Sequence, residues 1–279
     1  MNYRHVFHAG NFADVIKHVA LVAAVLHLRR KKKPFCVIDT HAGSGLYEIE
    51  GPEAARSREA ENGIARIRDL SARTDLPDAL RIYLDCVNCE GQDRYPGSPR
   101  LAAHLLRPQD RLVAIEKHPR ESEALAKALA AFANARAVAG DGYGRLPALL
   151  PPRECRGLVL IDPPYEAEDE FLRATDLLTR AHRRFATGTY LLWFPIKSKA
   201  NADAASGELR TLGIAPAMRV EIDVGTSERD QPQRLSSAGV IIVNPPYTFE
   251  AEMRAAAQFL APRLGRATDA PAAISLASI

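Results

Sequence analysis

A run of four aliphatic residues, 158–161, ends abruptly at Asp162, which is followed by Pro163, Pro164 and Tyr165. Such a run is typical of a strand that is buried on both faces of a sheet, and neither proline can donate a hydrogen bond to a neighbouring strand. The pattern therefore predicts a central strand that ends at Asp162. Because ligands of open α/β sheets bind where the strands end, this segment also marks a candidate site.

The residues at this strand end have a common chemical use. Asp162 offers a carboxylate, Pro163 a main-chain carbonyl on a rigid turn, and Tyr165 a flat ring. We expect the first two to accept the two N–H groups of an adenine amine while Tyr165 stacks on the base, which makes all three candidate catalytic residues. The motif resembles that of S-adenosylmethionine-dependent amino-methyltransferases. The alternative is a strand followed by an incidental Pro-Pro turn.

Three further predicted strands also end in an acidic residue, at Asp39, Glu116 and Asp141. Together with Asp162 they would bring four carboxylates to one edge of a sheet. We expect Glu116 to hold the ribose hydroxyls of a nucleoside cofactor and Asp141 to accept from the cofactor's adenine amine. This series favours a methyltransferase over an incidental turn.

A loop of small residues, 40–45, follows the first of these strands. It contains Gly43 and Gly45, but the third glycine of a dinucleotide-binding fingerprint would fall at Glu48. In that fingerprint the ribose-binding acid comes about 20 residues after the loop, whereas Glu116 comes much later. The spacing therefore argues against a plain Rossmann dehydrogenase and requires an insertion.

Residues 48–97 fit this insertion, since they include charged stretches predicted to be helical at 59–71 and 77–90. We predict an α/β fold in which residues 1–47 and 98–279 form a Rossmann-like methyltransferase sheet and 48–97 a small helical subdomain. Cys86 and Cys89 form a C-x-x-C pair in this insertion, but no second pair or nearby histidine completes a zinc site. We therefore expect a structural pair and no metal.

The composition is that of an ordinary globular protein: 279 residues, 47% hydrophobic and 25% charged. The net charge of +3 permits a nucleic-acid partner without requiring one. No signal peptide or membrane-spanning segment is recognisable, so we expect a cytoplasmic protein, and no obligate protein partner is evident.

Five consecutive cations, 29–33, form the most basic segment of the chain. Such a block is either a solvated helix end or a contact for phosphate, and the sequence leaves both alternatives open. The N-terminal arm, 2–11, offers a competing surface for a nucleic acid.

The first helix is predicted to begin after Asn11, which can cap it with Asp14 at the third helical position. It is apolar on most sides up to about residue 30, so we expect it to be buried. From the residues alone, Lys17 is expected to be a surface cation and His18 a hydrogen-bonded core histidine.

Residues 240–247 repeat the pattern of a strand followed by Asn244 and Pro-Pro-Tyr. A catalytic motif should directly follow the adenine-binding strand, and only Asp162 does so. We therefore interpret Asn244 as the end of a late strand. Other late strands are predicted at 189–196 and 219–224, with an edge strand at 272–279 and an order that the sequence leaves open.

Four segments carry a resemblance to a known family: residues 1–18, 39–43, 95–99 and 161–166. They resemble the bacterial 23S rRNA adenine-N6 methyltransferase J (RlmJ) family, nearly end to end. The resemblance implies a Rossmann-like sheet that uses S-adenosylmethionine to methylate one adenine of 23S rRNA. A DNA adenine methyltransferase and a non-catalytic nucleic-acid-binding protein are the alternatives.

The resemblance also assigns individual residues. Asp162 would be catalytic and Tyr3 would face the substrate. The cofactor site would be lined by His18, His41, Ser98, Glu116, Asp141, Gly142 and Asp162. For His18 this assignment replaces the expectation of a purely structural core histidine.

Overall fold

The computed structural model describes residues 8–49, 59–196, 203, 206–207, 209–226, 235–266 and 270–279. The α-helices used below are α1 (Phe12–Arg29), α2 (Asp78–Cys89), α3 (Ser98–Leu105), α4 (Pro119–Leu129), α5 (Gly142–Arg145), α6 (Glu170–Arg184) and α7 (Phe249–Leu264). The strands are β1 (Cys36–Asp39), β2 (Leu46–Glu48), β3 (Arg94–Pro96), β4 (Arg111–Glu116), β5 (Ala135–Ala139), β6 (Gly157–Ile161), β7 (Thr189–Pro195), β8 (Ala217–Asp223), β9 (Ser237–Val243) and β10 (Ala273–Ser278). Tyr3 lies outside the described residues.

A sheet of eight strands in the order β10-β8-β9-β7-β6-β1-β4-β5 organises the fold. The strands from β7 to β5 in this order are parallel, whereas β9 is antiparallel to both of its neighbours and β10 pairs antiparallel with β8 at the edge. Every residue of β1 and β6 is buried, as expected for central strands covered on both faces. The predicted Rossmann-like α/β fold is confirmed.

Helix α1 is the central helix on one face of the sheet, with 15 of its 18 residues buried. Asn11 caps it by accepting a hydrogen bond from the main-chain N–H of Asp14 (2.9 Å), as the sequence predicts. Alternate strand residues face the two layers: Val37 packs on the α1 side, and Ile38 packs on the α6 side. The helix therefore lies where its polar residues can reach the ends of the strands.

The insertion packs on α1 and shares its hydrophobic core. Residues 59–72 form short 3₁₀ turns rather than one longer helix, and Ile64 and Ile67 are fully buried in the α1 core. One turn ends at Gly63, where an added Cβ would lie 2.1 Å from the carbonyl oxygen of Gly10. The backbone at Gly63 therefore lies too close to Gly10 for any residue with a side chain. The subdomain boundary at 48–97 stays a prediction.

Both cysteines of the C-x-x-C pair lie in the second half of α2. Cys86 is buried, Cys89 ends the helix and is exposed, and both are free thiols. Burial raises the pKa of the Cys86 thiol to about 12. A neutral, buried thiol is unreactive, in keeping with the expected structural role.

Among the described residues, no helix has both the length and the apolar character needed to span a membrane.

The second Pro-Pro-Tyr motif lies at the opposite edge of the sheet from Asp162, because β9 runs antiparallel to β7 while β6 runs parallel to it. The side-chain amide of Asn244 donates to the carbonyls of Ala186 (2.8 Å) and Gly188 (2.7 Å). Asn244 thus anchors the loop that leads into β7, which agrees with its interpretation as a structural strand end.

Candidate active site

A cavity of about 330 Å³ lies at the carboxyl ends of β1, β4, β5 and β6. Parallel pairing of these strands carries their terminal acidic residues to one edge, as predicted. Six of the residues predicted to bind the cofactor line this cavity: His18, His41, Ser98, Glu116, Asp141 and Asp162.

Lys17 is the main site residue that the sequence interpretation missed. The expected surface cation is instead 3% exposed, and its ammonium donates to Asp14 Oδ1 (2.6 Å) and Asp162 Oδ2 (2.7 Å). Burial alone would lower the pKa of Lys17, but the two carboxylates outweigh it and raise that pKa above the ordinary value. Lys17 is therefore a permanent cation that fixes the carboxylate of Asp162 at the cavity wall.

Asp39 lies behind Asp162 and is 1% exposed. Its carboxyl accepts from the hydroxyl of Ser98 (2.6 Å) and from the main-chain N–H of His41 (3.3 Å). Burial, followed by repulsion from Asp162, raises the pKa of Asp39 to about 7, and the two hydrogen bonds oppose this shift. Asp39 thus links β1, the loop after it and α3 around the cavity.

The raised pKa of Asp39 predicts a pH-dependent stability. Between the unfolded pKa of about 3.9 and the folded value of about 7, the folded chain binds the proton that the unfolded chain has lost. The free energy of unfolding should therefore fall as pH rises through this window, by about 1 kcal/mol per pH unit. Denaturant unfolding of Asp39→Asn should show a stability gain over the wild type that grows from pH 4 to pH 7. Parallel profiles for the two proteins would contradict this assignment.

His41 presents a hydrogen-bond acceptor to the cavity. The Thr40 hydroxyl donates to the carbonyl of Leu160 (2.9 Å), so it accepts from His41 Nδ1 (2.8 Å). Burial, with Arg173 and Lys117 nearby, lowers the pKa of His41 to about 3, and the ring is neutral. Its Nε2 is buried and has no hydrogen-bond partner among the described residues, which leaves a lone pair for a bound donor.

Glu116 holds the small-residue loop. Its carboxylate accepts from the main-chain N–H groups of Gly43 (2.9 Å) and His118 (2.6 Å), which places two loops around one acid. At Gly43, φ is +59° and an added Cβ would lie 2.1 Å from the hydroxyl oxygen of Tyr47. Glycine is strongly favoured there, because the conformation is left-handed and a side chain would have to displace the Tyr47 hydroxyl.

His18 connects the cavity to the insertion. It is fully buried, its Nδ1 bonds to the hydroxyl of Tyr95 (2.6 Å), and that hydroxyl contacts the hydroxyl of Tyr83 (3.0 Å). The rings of His18 and Tyr95 are stacked, with centroids 5.6 Å apart. His18 is therefore both a hydrogen-bonded core histidine and part of the cavity wall.

A second group of residues outside the sequence prediction lines the cavity beside Asp162. The hydroxyl of Tyr143 donates to Glu170 (2.9 Å), and the guanidinium of Arg173 lies 4.5 Å from the Tyr143 ring centroid. Pro164 also contributes to this wall. Arg173 is 44% exposed and its guanidinium lies 3.8 Å from the carboxylate of Glu170, so this part of the wall is an ion pair with an exposed cation.

Three predicted site residues do not line the cavity. Pro163 is buried and is not one of the lining residues. Tyr165 donates its hydroxyl to the main-chain carbonyl of Trp193 (2.6 Å), and its φ of +53° turns the side chain toward that strand. Gly142 packs against the loop directly after β1, where a Cβ would lie 2.1 Å from the carbonyl oxygen of Thr40. Their predicted roles, like that of Tyr3, stay predictions.

Comparison with known proteins covers nearly the whole chain. The family model described as ribosomal RNA large subunit methyltransferase D, RlmJ, matches residues 32–273. The chain is 39% identical over 257 residues to ribosomal RNA large subunit methyltransferase J of Escherichia coli and 36% identical over 260 residues to that of Haemophilus influenzae. Each match covers 91% of this chain and 90% of the relative.

Solved structures agree with this result. A crystal structure of a Legionella pneumophila protein superposes with a TM-score of 0.86 at 32% identity, covering 97% of this chain and 98% of that one. A probable spermidine synthase from Corynebacterium glutamicum shares the fold alone, with a TM-score of 0.51 and 11% identity over 95% of this chain and 75% of that chain. The family model over residues 32–273 and the two relatives at 36% and 39% identity show that the chain belongs to the RlmJ family of ribosomal RNA large subunit methyltransferases.

Proposed function

We propose that this protein uses S-adenosylmethionine to methylate N6 of an adenine in 23S rRNA. The observation that carries the proposal is the carboxylate of Asp162, held by Lys17 at the wall of a cavity that four parallel strands supply with acidic residues. Both curated relatives are named as methyltransferases of large-subunit ribosomal RNA. Ribosomal RNA is accordingly the proposed partner, and a cytoplasmic location and the lack of an obligate protein partner stay predictions.

The cavity fits a nucleoside cofactor that carries an amino acid group. Its volume of about 330 Å³ lies at the lower end of the usual range for small-molecule sites. Glu116 and Asp141 are the acceptors for ribose hydroxyls and for the adenine amine, and the open Nε2 of His41 is an acceptor for a further N–H. His18 and Ser98 complete the wall on the side of α1 and α3.

When bound, S-adenosylmethionine supplies an electrophilic methyl group on a sulfonium whose leaving group is already activated. The protein has to orient the nucleophile, since the lone pair of an adenine amine is delocalised into the ring. Lys17 occupies Asp162 Oδ2 and leaves Oδ1 to accept an N–H of the target amine. The carbonyl of Pro163 is proposed as the second acceptor, and two acceptors on one amine would favour a localised lone pair on its nitrogen. Methyl transfer would replace one N–H bond of the amine by an N–C bond, so the cofactor would leave as a neutral thioether and the amine nitrogen would have to lose a proton.

The remaining assignments concern the target base. Tyr165 is proposed to stack on the adenine. In the structure the centroids of the Tyr165 and Trp193 rings are 5.6 Å apart, so the Tyr165 ring has to move away from Trp193 or contact the base with its other face. Tyr3 is proposed to approach the same base from the N-terminal arm. Arg173 beside the cavity is 44% exposed and lies 3.8 Å from Glu170, and its guanidinium is proposed to contact a phosphate of the flanking strand as well.

Removing the acceptors at the ends of β4 and β5 should weaken cofactor binding. Glu116→Ala and Asp141→Ala are each expected to cost about 1–3 kcal/mol of S-adenosylmethionine binding, because a donor of the cofactor then loses its partner. Calorimetric titration measures this directly, with the exposed Glu123→Ala on α4 as the matched control. Unchanged affinity in both site variants would refute their assignment to the cofactor.

The substrate class is tested by incubating the protein and S-adenosylmethionine labelled on its methyl group with protein-free 23S rRNA and, separately, with adenine-containing DNA. The proposal predicts label in the RNA and none above background in the DNA. Label in DNA alone would favour a DNA adenine methyltransferase. Absence of label from both would favour a non-catalytic nucleic-acid-binding protein.

A further inference from the structure

The five-cation block lies at the edge of the sheet opposite the cavity. It begins at Arg29, the last residue of α1, and continues to Lys33, and β1 then runs from this side of the sheet to the edge that carries the cavity. All five side chains are exposed. Within the described part of the chain, none of them forms an ion pair with a carboxylate, so their charge faces solvent.

The main chain of this block is held in place by two arginines from other elements. Arg107 donates to the carbonyls of Lys31 (2.9 Å) and Lys33 (3.2 Å). Arg156 donates to the carbonyls of Lys33 (2.7 Å) and Leu28 (3.1 Å). Guanidinium groups thus bind the inner side of the loop, and the lysine side chains project from a fixed backbone. A frayed, merely solvated helix end has no such support.

The second Pro-Pro-Tyr motif adds an aromatic ring to this edge. Tyr247 is 80% exposed, the largest exposed fraction among the described large hydrophobic residues. Arg30 donates to its hydroxyl (2.9 Å) and lies 5.5 Å from its ring centroid, and His27 contacts the ring edge-on at 5.2 Å. These contacts fix the ring beside the cations while leaving most of its surface open.

The local potential at this edge is positive. Burial lowers the pKa of His27, and Arg30, Lys31 and Arg156 lower it further, so the histidine adjoining Tyr247 is surrounded by cations. A row of cations beside an exposed, fixed aromatic ring is the combination used to bind single-stranded nucleic acid: phosphates meet the cations and a base stacks on the ring. Among the described residues, 29–33 have no carboxylate partner, whereas Arg107 pairs with Asp110 (2.7 Å), so the side chains of the five-cation block are the charges available to phosphate.

We propose that this basic edge, defined as residues 29–33 with Arg107, Arg156 and Tyr247, binds single-stranded RNA that flanks the methylated nucleotide. The proposal rests on the proposed function for its choice of RNA. Lys31, Lys32 and Lys33 contact phosphates without regard to sequence, and Tyr247 stacks on one base. The target adenine enters the cavity at the other edge of the sheet, so the two surfaces bind different parts of one RNA.

Binding of the full chain to a poly(U) strand, measured by fluorescence anisotropy over a range of salt concentrations, tests this surface. The triple variant Lys31→Gln, Lys32→Gln, Lys33→Gln should lower the slope of log affinity against log salt by about two units. Tyr247→Ala should weaken binding by about fivefold or more while leaving the slope unchanged. The matched control replaces Arg81, Arg180 and Arg254 by Gln, which removes the same charge from cations already paired with carboxylates.

A slope for the lysine variant that equals that of the wild type, or a loss as large in the control, would overturn the proposal. The binding readout needs no turnover, so it remains informative if the protein fails to methylate rRNA. If rRNA is methylated, the lysine variant should raise KM for 23S rRNA several-fold and leave kcat unchanged. An equal KM in variant and wild type would also count against the basic edge.

Discussion

Asp162→Ala is expected to lower kcat for methylation of 23S rRNA by on the order of 10³-fold. The variant removes the carboxylate that accepts from the target amine, and alignment together with polarisation of that amine is the proposed source of catalysis. Cofactor affinity should change much less than kcat. Single-turnover transfer of labelled methyl groups, with calorimetric cofactor titration of the same preparation, separates the two effects.

Asn244→Ala is the matched control, because it ends the other strand that leads into Pro-Pro-Tyr. Asn244 anchors the carbonyls of Ala186 and Gly188 at the opposite edge of the sheet, so its loss should reduce stability and leave most activity per folded molecule. Equal losses of kcat in the two variants would show that the catalytic motif is wrongly assigned.

Lys17→Met is expected to have the largest effect on stability. It leaves the carboxylates of Asp14 and Asp162, whose side chains are 3% and 13% exposed, without their shared cation. Breaking a buried ion pair from one side costs about 3–5 kcal/mol, so the midpoint of chemical denaturation should fall markedly. The kcat of the folded fraction should also fall, since Asp162 is no longer held at the cavity wall.

The double variant Lys17→Met, Asp14→Asn distinguishes the two consequences. It removes one of the stranded charges and should recover part of the lost stability, whereas kcat should stay low because Asp162 still lacks its cation. Lys127→Met on the exposed face of α4 serves as a control for loss of a lysine. Recovery of full activity in the double variant would mean that Lys17 acts only on folding.

The strands and the edge at which they end could be predicted because their sequence signal is local. Aliphatic runs that stop at Asp39, Glu116 and Asp162 have to be buried strands, and the parallel pairing of β1, β4 and β6 then brings those residues together. The helix cap at Asn11 could also be predicted, since it depends on two residues that are three positions apart in the sequence. These features needed no knowledge of distant contacts.

The role of Lys17 could not be predicted in this way, because its partner Asp162 is 145 residues away. The available signal was a lysine inside a helix that is apolar on most sides, because a buried cation must be paired with an anion. Asp14, one turn earlier, is one of its two carboxylate partners and could be identified from the sequence. Tyr143 and Arg173 were missed for the same reason, since their contacts join α5 to α6. The order of the late strands depends on which strands pair with each other, and sequence periodicity does not predict that pairing.

The central claim is that the cavity directs methyl transfer to the exocyclic nitrogen of an adenine. The most direct test digests 23S rRNA to nucleosides after incubation with the protein and S-adenosylmethionine, and identifies the methylated nucleoside by mass spectrometry against standards. The account predicts N6-methyladenosine with the wild type and none above background with Asp162→Ala. A methylated nucleoside of any other kind, or equal yields of N6-methyladenosine from the two proteins, would contradict it.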